Sequence, residues 1–213
     1  MKWFEKFSES VAHHLGKKTM KYIAEDWEKV PTNSSKQSKE KRYSWLKIAM
    51  ERLDENCDDE MKYRIMADTC PHNYPKTRIM KMRTQFKRLG SIDALIDLMK
   101  QDTSWGGGSF YDYPERIGNW IHITKVPYNP RGFREATTKE ERRKAYCHCG
   151  LVKGSTEEIS STFCCCSGGW VQQLWEGILE QPVKVKLVES LLQGDDRCTH
   201  AIEIPINLSE GLS

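Results

Sequence analysis

The chain has 213 residues, of which 38% are hydrophobic and 30% charged, and its formal net charge is +3. This length suits one large domain, or a small helical domain joined to a mixed one. The near balance of acidic and basic residues argues against a nucleic-acid partner. The charged N-terminus does not have the pattern of a signal peptide, and no apolar run approaches the roughly 18 residues of a membrane span. We therefore expect a cytoplasmic protein without a membrane partner.

The first part of the chain, residues 1–102, is predicted to be helical. Apolar residues recur at helical spacing from Trp3 to Trp27, and Pro31 ends this stripe. Residues 32–42 are predicted to be a polar, basic linker. Further helices are predicted from Tyr43 to Leu53, from Asp58 onwards, from Lys76 to Leu89 and, after Gly90, from Ser91 to Lys100.

The second part, residues 103–213, is predicted to be mixed. Glycine and proline place loops at Trp105–Ser109 and at Tyr128–Lys139. Between these loops, Ile117 to Ile123 alternate with polar neighbours, as in a strand. Ser155 to Glu158 carries the pattern of a capping box. The chain as a whole is expected to have an α+β fold, in which a helical N-terminal region precedes helices packed on an antiparallel sheet.

A helix from about Thr162 to Leu179 and a C-terminal β-hairpin complete the predicted elements. The hairpin turns at Gly194-Asp195-Asp196, and its apolar faces must meet across the two strands. The two simplest registers pair Glu189 with Cys198 or with His200. Either register places a carboxylate, a thiol and an imidazole together on the core side.

Six of the eight cysteines lie in the last third of the chain, within Cys147-His148-Cys149, Cys164-Cys165-Cys166 and Cys198. Packing alone rarely requires three consecutive cysteines, because successive side chains point in different directions. In the expected compartment, cysteines indicate metal ligands, reactive thiols or buried small residues before disulfides. This concentration predicts a metal-binding or thiol-bearing site.

Each motif also has a simpler interpretation. The single-residue gap between Cys147 and Cys149 is tighter than the usual zinc knuckle. The triplet lies at a helix start, which favours thiolates, although Cys165 is expected to be a buried small residue. Gly168-Gly169 implies that the hairpin or a ligand approaches the helix backbone. Glu189 is either a metal ligand or acid–base group, or it reaches water or pairs with Arg197.

The order of features from Phe163 to Ile204 resembles the 4-vinyl-reductase domain, a small-molecule-binding module with the broad fold of the TRAPP transport subunits. These features are a cysteine, a Gly-aromatic helix, a Gln-Pro-Val strand, an inward glutamate and a Gly-Asp-Asp-x-Cys turn. In sensor members of that family, cysteines and a glutamate hold zinc beside a buried pocket for a small aromatic ligand. The same ending is similar to the L-2-amino-thiazoline-4-carboxylic acid hydrolase-like family, which implies hydrolysis.

The resemblance implies that Cys164 is the first zinc ligand, Glu189 the carboxylate and Cys198 the last cysteine. The family's middle cysteine is absent, since Ser190-Leu191-Leu192 stands there. Its replacement would come from Cys166, His200, Cys147 or Cys149. The whole chain also looks like one of the uncharacterised bacterial or archaeal families built around this ending.

We therefore expect a zinc-binding protein that binds a small aromatic or apolar molecule as a sensor or accessory protein. The ligand pocket is expected between the predicted helix and the hairpin, lined by Trp170, Leu174 and His200. The alternative class is an enzyme, either a hydrolase using a cysteine or zinc-activated water, or a thiol redox protein. A structural protein with buried cysteines is the third option. The expected partners are a small-molecule ligand and, in a homodimer, a second copy of the chain.

Overall fold

The computed structural model describes residues 2–102 and 110–209, so the predicted loop at Trp105–Ser109 lies outside the described residues. The helices of the described part are α1 (Lys2–Ile23), α2 (Lys36–Asn56), α3 (Asp59–Thr69), α4 (Lys76–Leu89), α5 (Ile92–Gln101), α6 (Pro130–Glu135), α7 (Lys139–Tyr146), α8 (Cys165–Leu179) and α9 (Ile206–Ser209). Short 3₁₀ helices cover Trp27–Lys29 and Ser161–Cys164. Within these ranges, none of the helices combines the length and the apolar character that crossing a bilayer requires.

The strands of the described part are β1 (Glu115–Ile117), β2 (Trp120–Thr124), β3 (Val185–Glu189) and β4 (Thr199–Glu203). They form one antiparallel sheet in the order β1-β2-β4-β3. Since helices pack on this sheet, the expected α+β class is confirmed. Strand β4, one of the two inner strands, is buried along most of its length.

The predicted helices of the first part are largely confirmed. The side chain of Asp58 accepts the backbone N–H of Met61 and caps α3, as its acidic start indicates. Gly90 has a φ of 66° and separates α4 from α5. This left-handed conformation is the usual use of glycine at the end of a helix.

The predicted linker at residues 32–42 is wrong beyond its first residues. Ser35 caps α2 by accepting the backbone N–H of Ser38, and the helix begins at Lys36. Arg42 is buried and donates to the carbonyl oxygens of Pro31 and Asn33. The first turns of α2 are therefore held against the preceding segment. Residues 36–42 are helical although their sequence is purely polar.

Two predictions about loops and caps are also corrected. The loop predicted over Tyr128–Lys139 contains α6 and is followed by α7, which begins at a full capping box between Thr138 and Glu141. The pattern at Ser155 does not begin a helix, because the serine side chain accepts from Glu157 within a turn. A capping pattern is informative only where helix-forming residues follow it.

The strand predicted from Ile117 to Ile123 is two strands. Gly118 has a φ of 59° and turns the chain between β1 and β2, so that Ile117 pairs with Trp120. The alternation at Ile121 and Ile123 is real, and both side chains are buried. Gly118 is the local signal for this turn, but the alternating pattern around it is also typical of one continuous strand.

The C-terminal hairpin follows one of the two predicted registers, the one that would pair Glu189 with Cys198, over residues 185–187, and it departs from that register at Glu189. Leu187 pairs with His200, but Glu189 pairs with Thr199, because an irregularity between Leu187 and Glu189 shifts the ladder by one residue. Such a β-bulge moves the following side chain to the other face of the sheet. Glu189 therefore lies on the face opposite to Cys198 and His200.

Helix α8 joins two apolar clusters. One cluster combines α4, α5, the second half of α8 and the sheet, and the other combines α1, α2, α3 and the segment before α8. A Cβ atom added at Gly169 would meet the carbonyl oxygen of Ala67 at 2.3 Å. The close approach to the helix backbone that the glycine pair predicted is confirmed, but the approaching element at Gly169 is α3 and not the expected hairpin or a ligand.

Candidate functional site

Four cysteines lie near one another around the N-terminal end of α8, and we call their thiols the thiol cluster. Cys147 ends α7, Cys149 lies in the following turn, Cys164 precedes α8 and Cys198 precedes β4. The thiols of Cys164, Cys198 and Cys149 lie close enough to Cys147 to raise its pKa, and those of Cys198 and Cys149 also raise the pKa of Cys164. Burial is the largest cause, and it raises the pKa of Cys147 and of Cys164 to about 12.

Hydrogen-bond donors face several of these sulfur atoms. Ser190 Oγ donates to Cys164 Sγ at 3.3 Å, and the backbone N–H of Leu191 donates to Cys198 Sγ at 3.5 Å. Backbone groups of Leu151 and Val152 bond to the Cys149 sulfur and lower its pKa, although burial raises that pKa overall. Donors directed at sulfur favour the thiolate form, which is the form that binds metals.

Lys125 brings a positive charge into the thiol cluster. It follows β2, and its backbone N–H donates to the carbonyl oxygen of Cys198 at 2.8 Å. The residue is half-buried, and its ammonium group is surrounded by protein. Desolvation lowers its pKa, but Tyr111 and the thiols of Cys164 and Cys198 raise it more, so the net shift is upward. Among the described residues, Lys125 forms no ion pair with a carboxylate.

Ser167 connects Lys125 to His200. The Ser167 hydroxyl accepts from Lys125 Nζ at 2.8 Å and donates to the carbonyl oxygen of Cys164 at 2.8 Å. Its single proton is then used, so His200 Nε2 must be the donor in their 3.0 Å contact. Neither neighbour can take the proton of Ser167, and this arrangement does not make the serine a nucleophile.

His200 is fully buried and stays neutral. Burial, followed by the charge of Lys125, lowers its pKa to about 3. Within the described residues, its Nδ1 and the hydroxyl of Tyr63 have no hydrogen-bond partner. A Cβ atom at Gly168 would meet the Tyr63 hydroxyl at 2.7 Å and Nδ1 at 3.2 Å, so both atoms face the same small space.

Glu189, the carboxylate expected among the zinc ligands, does not join the thiols. Its Oε2 atom accepts from Arg197 Nε and from Thr199 Oγ1, both at 2.7 Å. Burial raises its pKa, but these two partners lower it more. The alternative pairing with Arg197 is therefore confirmed, and the ligand set implied by the family resemblance is not assembled.

Cys166, another expected ligand, lies in a separate pair with Cys70. Its thiol is hydrogen-bonded to the Cys70 sulfur, and Trp3 Nε1 donates to Cys166 Sγ at 3.4 Å. The Cys166 hydrogen bond is the largest cause that lowers the pKa of Cys70, while the pKa of Cys166 is raised. Cys165 faces a third direction, towards Tyr63 and Asp54.

The three residues expected to line a ligand pocket are instead in contact with other side chains, with Leu174 and His200 buried and Trp170 half-buried. Trp170 stacks on Tyr111 with a centroid distance of 5.5 Å, and Leu174 is buried in the apolar cluster. His200 is held by Ser167. A cleft of about 940 Å³ lies on the flank of α8, between α3 and β3, and its lining includes Tyr63, Cys165, Gln172, Lys62, Lys184 and Asp59.

Sequence reasoning missed Lys125, Ser167, Ser190 and Cys70. The position of Lys125 was a usable signal. It lies two residues after Ile123 and therefore on the buried side of the strand. A lysine on the apolar face of a strand needs a partner. The contact between Cys70 and Cys166 spans distant parts of the sequence, and no local pattern indicates it.

As they are arranged, the thiols do not form a completed coordination site. Throughout residues 2–102 and 110–209, no three His, Cys, Asp or Glu side chains are placed together as metal ligands. Searches against family models, curated proteins and solved structures return no match. The function must therefore be argued from the site itself.

Proposed function

We propose that the protein binds zinc through the four residues of the thiol cluster, Cys147, Cys149, Cys164 and Cys198. The observation that carries this proposal is the ammonium group of Lys125, which lies near the thiols and has no carboxylate partner among the described residues. A buried charge requires a compensating charge of opposite sign. The thiols are the groups in position to supply it.

The charge balance favours a metal over free thiolates. Burial raises the pKa of Cys147 and Cys164 to about 12, so these thiols do not ionise by themselves at neutral pH. Zinc removes the thiol protons on binding, and four thiolates around Zn²⁺ carry a net charge of −2. Lys125 would then stabilise the bound form and compensate part of this charge.

The hydrogen bonds to sulfur provide the second support. Ser190 is one of the three residues that stand where the family resemblance expects a cysteine, and its hydroxyl donates to Cys164 Sγ. The N–H of Leu191 donates to Cys198 Sγ in the same turn. Groups that hydrogen-bond to metal ligands orient them and tune their affinity. A cysteine side chain needs only rotation about χ1 to redirect its sulfur, so binding would draw the four thiols inward.

A zinc ion held by four cysteines has no open position for water or substrate. The proposed ion is therefore a structural link that ties the end of α7 and the start of β4 to the start of α8. The protein would be a cytoplasmic zinc-binding protein of the accessory or sensor kind. Hydrolysis by zinc-activated water is the less favoured alternative, because it needs a three-ligand site.

The test is metal analysis of the purified full-length chain and of single variants. We expect about one zinc per chain in the wild type. Cys147→Ser, Cys149→Ser, Cys164→Ser and Cys198→Ser should each lose most of it. Cys57→Ser is the matched control, since Cys57 is half-buried at the end of α2 and no thiol of the cluster is among the groups that shift its pKa. Zinc-free protein after reconstitution, or equal losses in control and cluster variants, would refute the proposal.

Cobalt substitution identifies the ligand type independently of stability. Four thiolate ligands give Co²⁺ intense visible absorption and a sulfur-to-metal charge-transfer band, whereas oxygen ligands do not. Lys125→Met should weaken metal binding by about 10- to 100-fold, as is typical for groups around a metal site. Lys153→Met is the control, because Lys153 is near Cys147 but lies over the ring of Tyr128. If Lys125→Met bound the metal with unchanged affinity, the charge of Lys125 would not stabilise the bound form.

A small-molecule ligand is the second part of the proposed function. The cleft between α3, α8 and β3 has a volume of about 940 Å³, which is within the range of ligand sites. Lysines and carboxylates in its lining favour a polar ligand over the apolar one expected from the resemblance. Aromatic acids should raise the midpoint of thermal unfolding. Gln172→Trp, which would fill the cleft, should abolish that shift without loss of zinc.

A further inference from the structure

Cys70 and Cys166 form a second thiol site that the proposed zinc site does not use. Cys70 ends α3 and Cys166 lies in the first turn of α8. A chain of hydrogen bonds runs from Trp3 Nε1 to Cys166, from Cys166 to Cys70, and from the Cys70 thiol to the carbonyl oxygen of His72 at 3.7 Å. The two sulfur atoms are thus held next to each other.

The helices that carry these cysteines approach unusually closely. Ala67, one turn before Cys70, meets the backbone of α8 at Gly169, where no side chain fits. The Lys6 ammonium donates to the carbonyl oxygen of Cys70 at 3.0 Å and fixes the end of α3. Because both backbones are restrained, the thiol contact follows from the packing of the two helices and does not depend on a flexible loop.

We infer that Cys70 and Cys166 are a redox-active pair that forms a disulfide when a peroxide oxidises it. One thiol reduces the peroxide O–O bond, takes one oxygen as a sulfenic acid and releases water. The second sulfur then displaces the sulfenic hydroxyl as another water, forming the S–S bond. Overall, two thiols and one hydrogen peroxide give one disulfide and two waters.

Burial determines which oxidants reach the pair. Cys70 is 4% exposed and Cys166 is half-buried, so a molecule as small as hydrogen peroxide is admitted more readily than a bulky disulfide reagent. Disulfides in a reducing compartment are usually transient and serve redox sensing or catalysis. A disulfide here would lock α3 to α8 next to the thiol cluster.

The test is peptide mapping of the zinc-reconstituted full-length chain after treatment with hydrogen peroxide, without reductant. We expect a linked peptide containing Cys70 and Cys166 that disappears on reduction. Cys70→Ser and Cys166→Ser should each abolish it and leave zinc content unchanged. Cys165→Ser is the matched control, since Cys165 is adjacent to Cys166 but faces away from Cys70.

Recovery of Cys70 and Cys166 as free thiols, or their linkage to other cysteines only, would overturn the inference. Mapping of the wild type decides this even if a serine variant folds poorly. The zinc proposal and the redox inference can fail independently, because neither Cys70 nor Cys166 is a proposed zinc ligand. A metal-free protein that still forms the linked peptide would retain the redox pair and lose the zinc site.

Discussion

The two ends of α8 are buried in opposite ways. In its second half, Leu174, Trp175 and Ile178 pack among apolar side chains of α4, α5 and the sheet. At its first turn, the helix is surrounded by thiols, the Lys125 ammonium and the imidazole of His200. One end is stabilised by removing apolar surface from water, and the other encloses groups that need specific partners.

Within α8, the apolar end therefore contributes to packing, whereas the polar end is the candidate functional site. The apolar end consists mainly of aliphatic and aromatic side chains that need no hydrogen bond, although the buried Trp175 Nε1 has no partner among the described residues. Within residues 2–102 and 110–209, the polar end has an ammonium group without a carboxylate, an imidazole nitrogen without a hydrogen-bond partner and thiols held in the protonated form. A buried site whose described neighbours do not compensate its polar groups is where a bound ion is expected.

The largest expected effect is at the apolar end. Trp175 is 0% exposed, and Trp175→Ala should lower the free energy of unfolding by about 3–5 kcal/mol because it leaves a large cavity. Urea denaturation, with and without a zinc chelator, measures it. Trp170→Ala is the control: Trp170 is half-buried, so we expect a smaller loss. Equal losses would mean that α8 is not more tightly packed at this end.

The contact between α3 and α8 should give the next largest effect. Gly169→Ala places a Cβ atom 2.3 Å from the backbone oxygen of Ala67, and backbone cannot move aside cheaply. Overpacking of this kind costs about 1–3 kcal/mol, measured by denaturation. Gly150→Ala is the matched control, since its Cβ atom would meet nothing within 4 Å. A neutral Gly169→Ala variant would show that the helices separate easily.

The polar end should make stability depend on pH. The pKa of His200 is lowered to about 3, against 6.5 for an ordinary histidine. Between these values the unfolded chain binds the extra proton, so stability falls as the pH falls. This group alone should contribute a loss of about 2 kcal/mol from pH 6 to pH 4. The free energy of unfolding of the wild type and of His200→Gln, measured from pH 6 to pH 4, isolates the contribution of His200. Parallel pH profiles of the two proteins would contradict this prediction.

The sequence predicted the α+β class and most helices, because hydrophobic periodicity and capping residues are local signals. The family resemblance also implied that Cys164 and Cys198 lie near each other, and the Cys198 thiol is close enough to raise the pKa of Cys164. Prediction from the sequence failed where a single residue shifted the register: the bulge before Glu189 reversed the face of the expected carboxylate. Lys125 was missed because its significance depends on thiols that approach from α7, α8 and β4.

The smallest expected loss of stability is at Glu189, and this residue tests whether a carboxylate is among the zinc ligands. Its carboxylate is 29% exposed and is held by Arg197 and Thr199 on the face opposite to Cys198. Glu189→Gln should therefore cost less than about 1 kcal/mol, because partly exposed ion pairs contribute little. Zinc stoichiometry and the cobalt spectrum should not change, whereas Cys198→Ser should lose the metal. If Glu189→Gln lost zinc as Cys198→Ser does, the carboxylate would be a ligand, as the family resemblance implies. The hairpin register would then have to change when the metal binds.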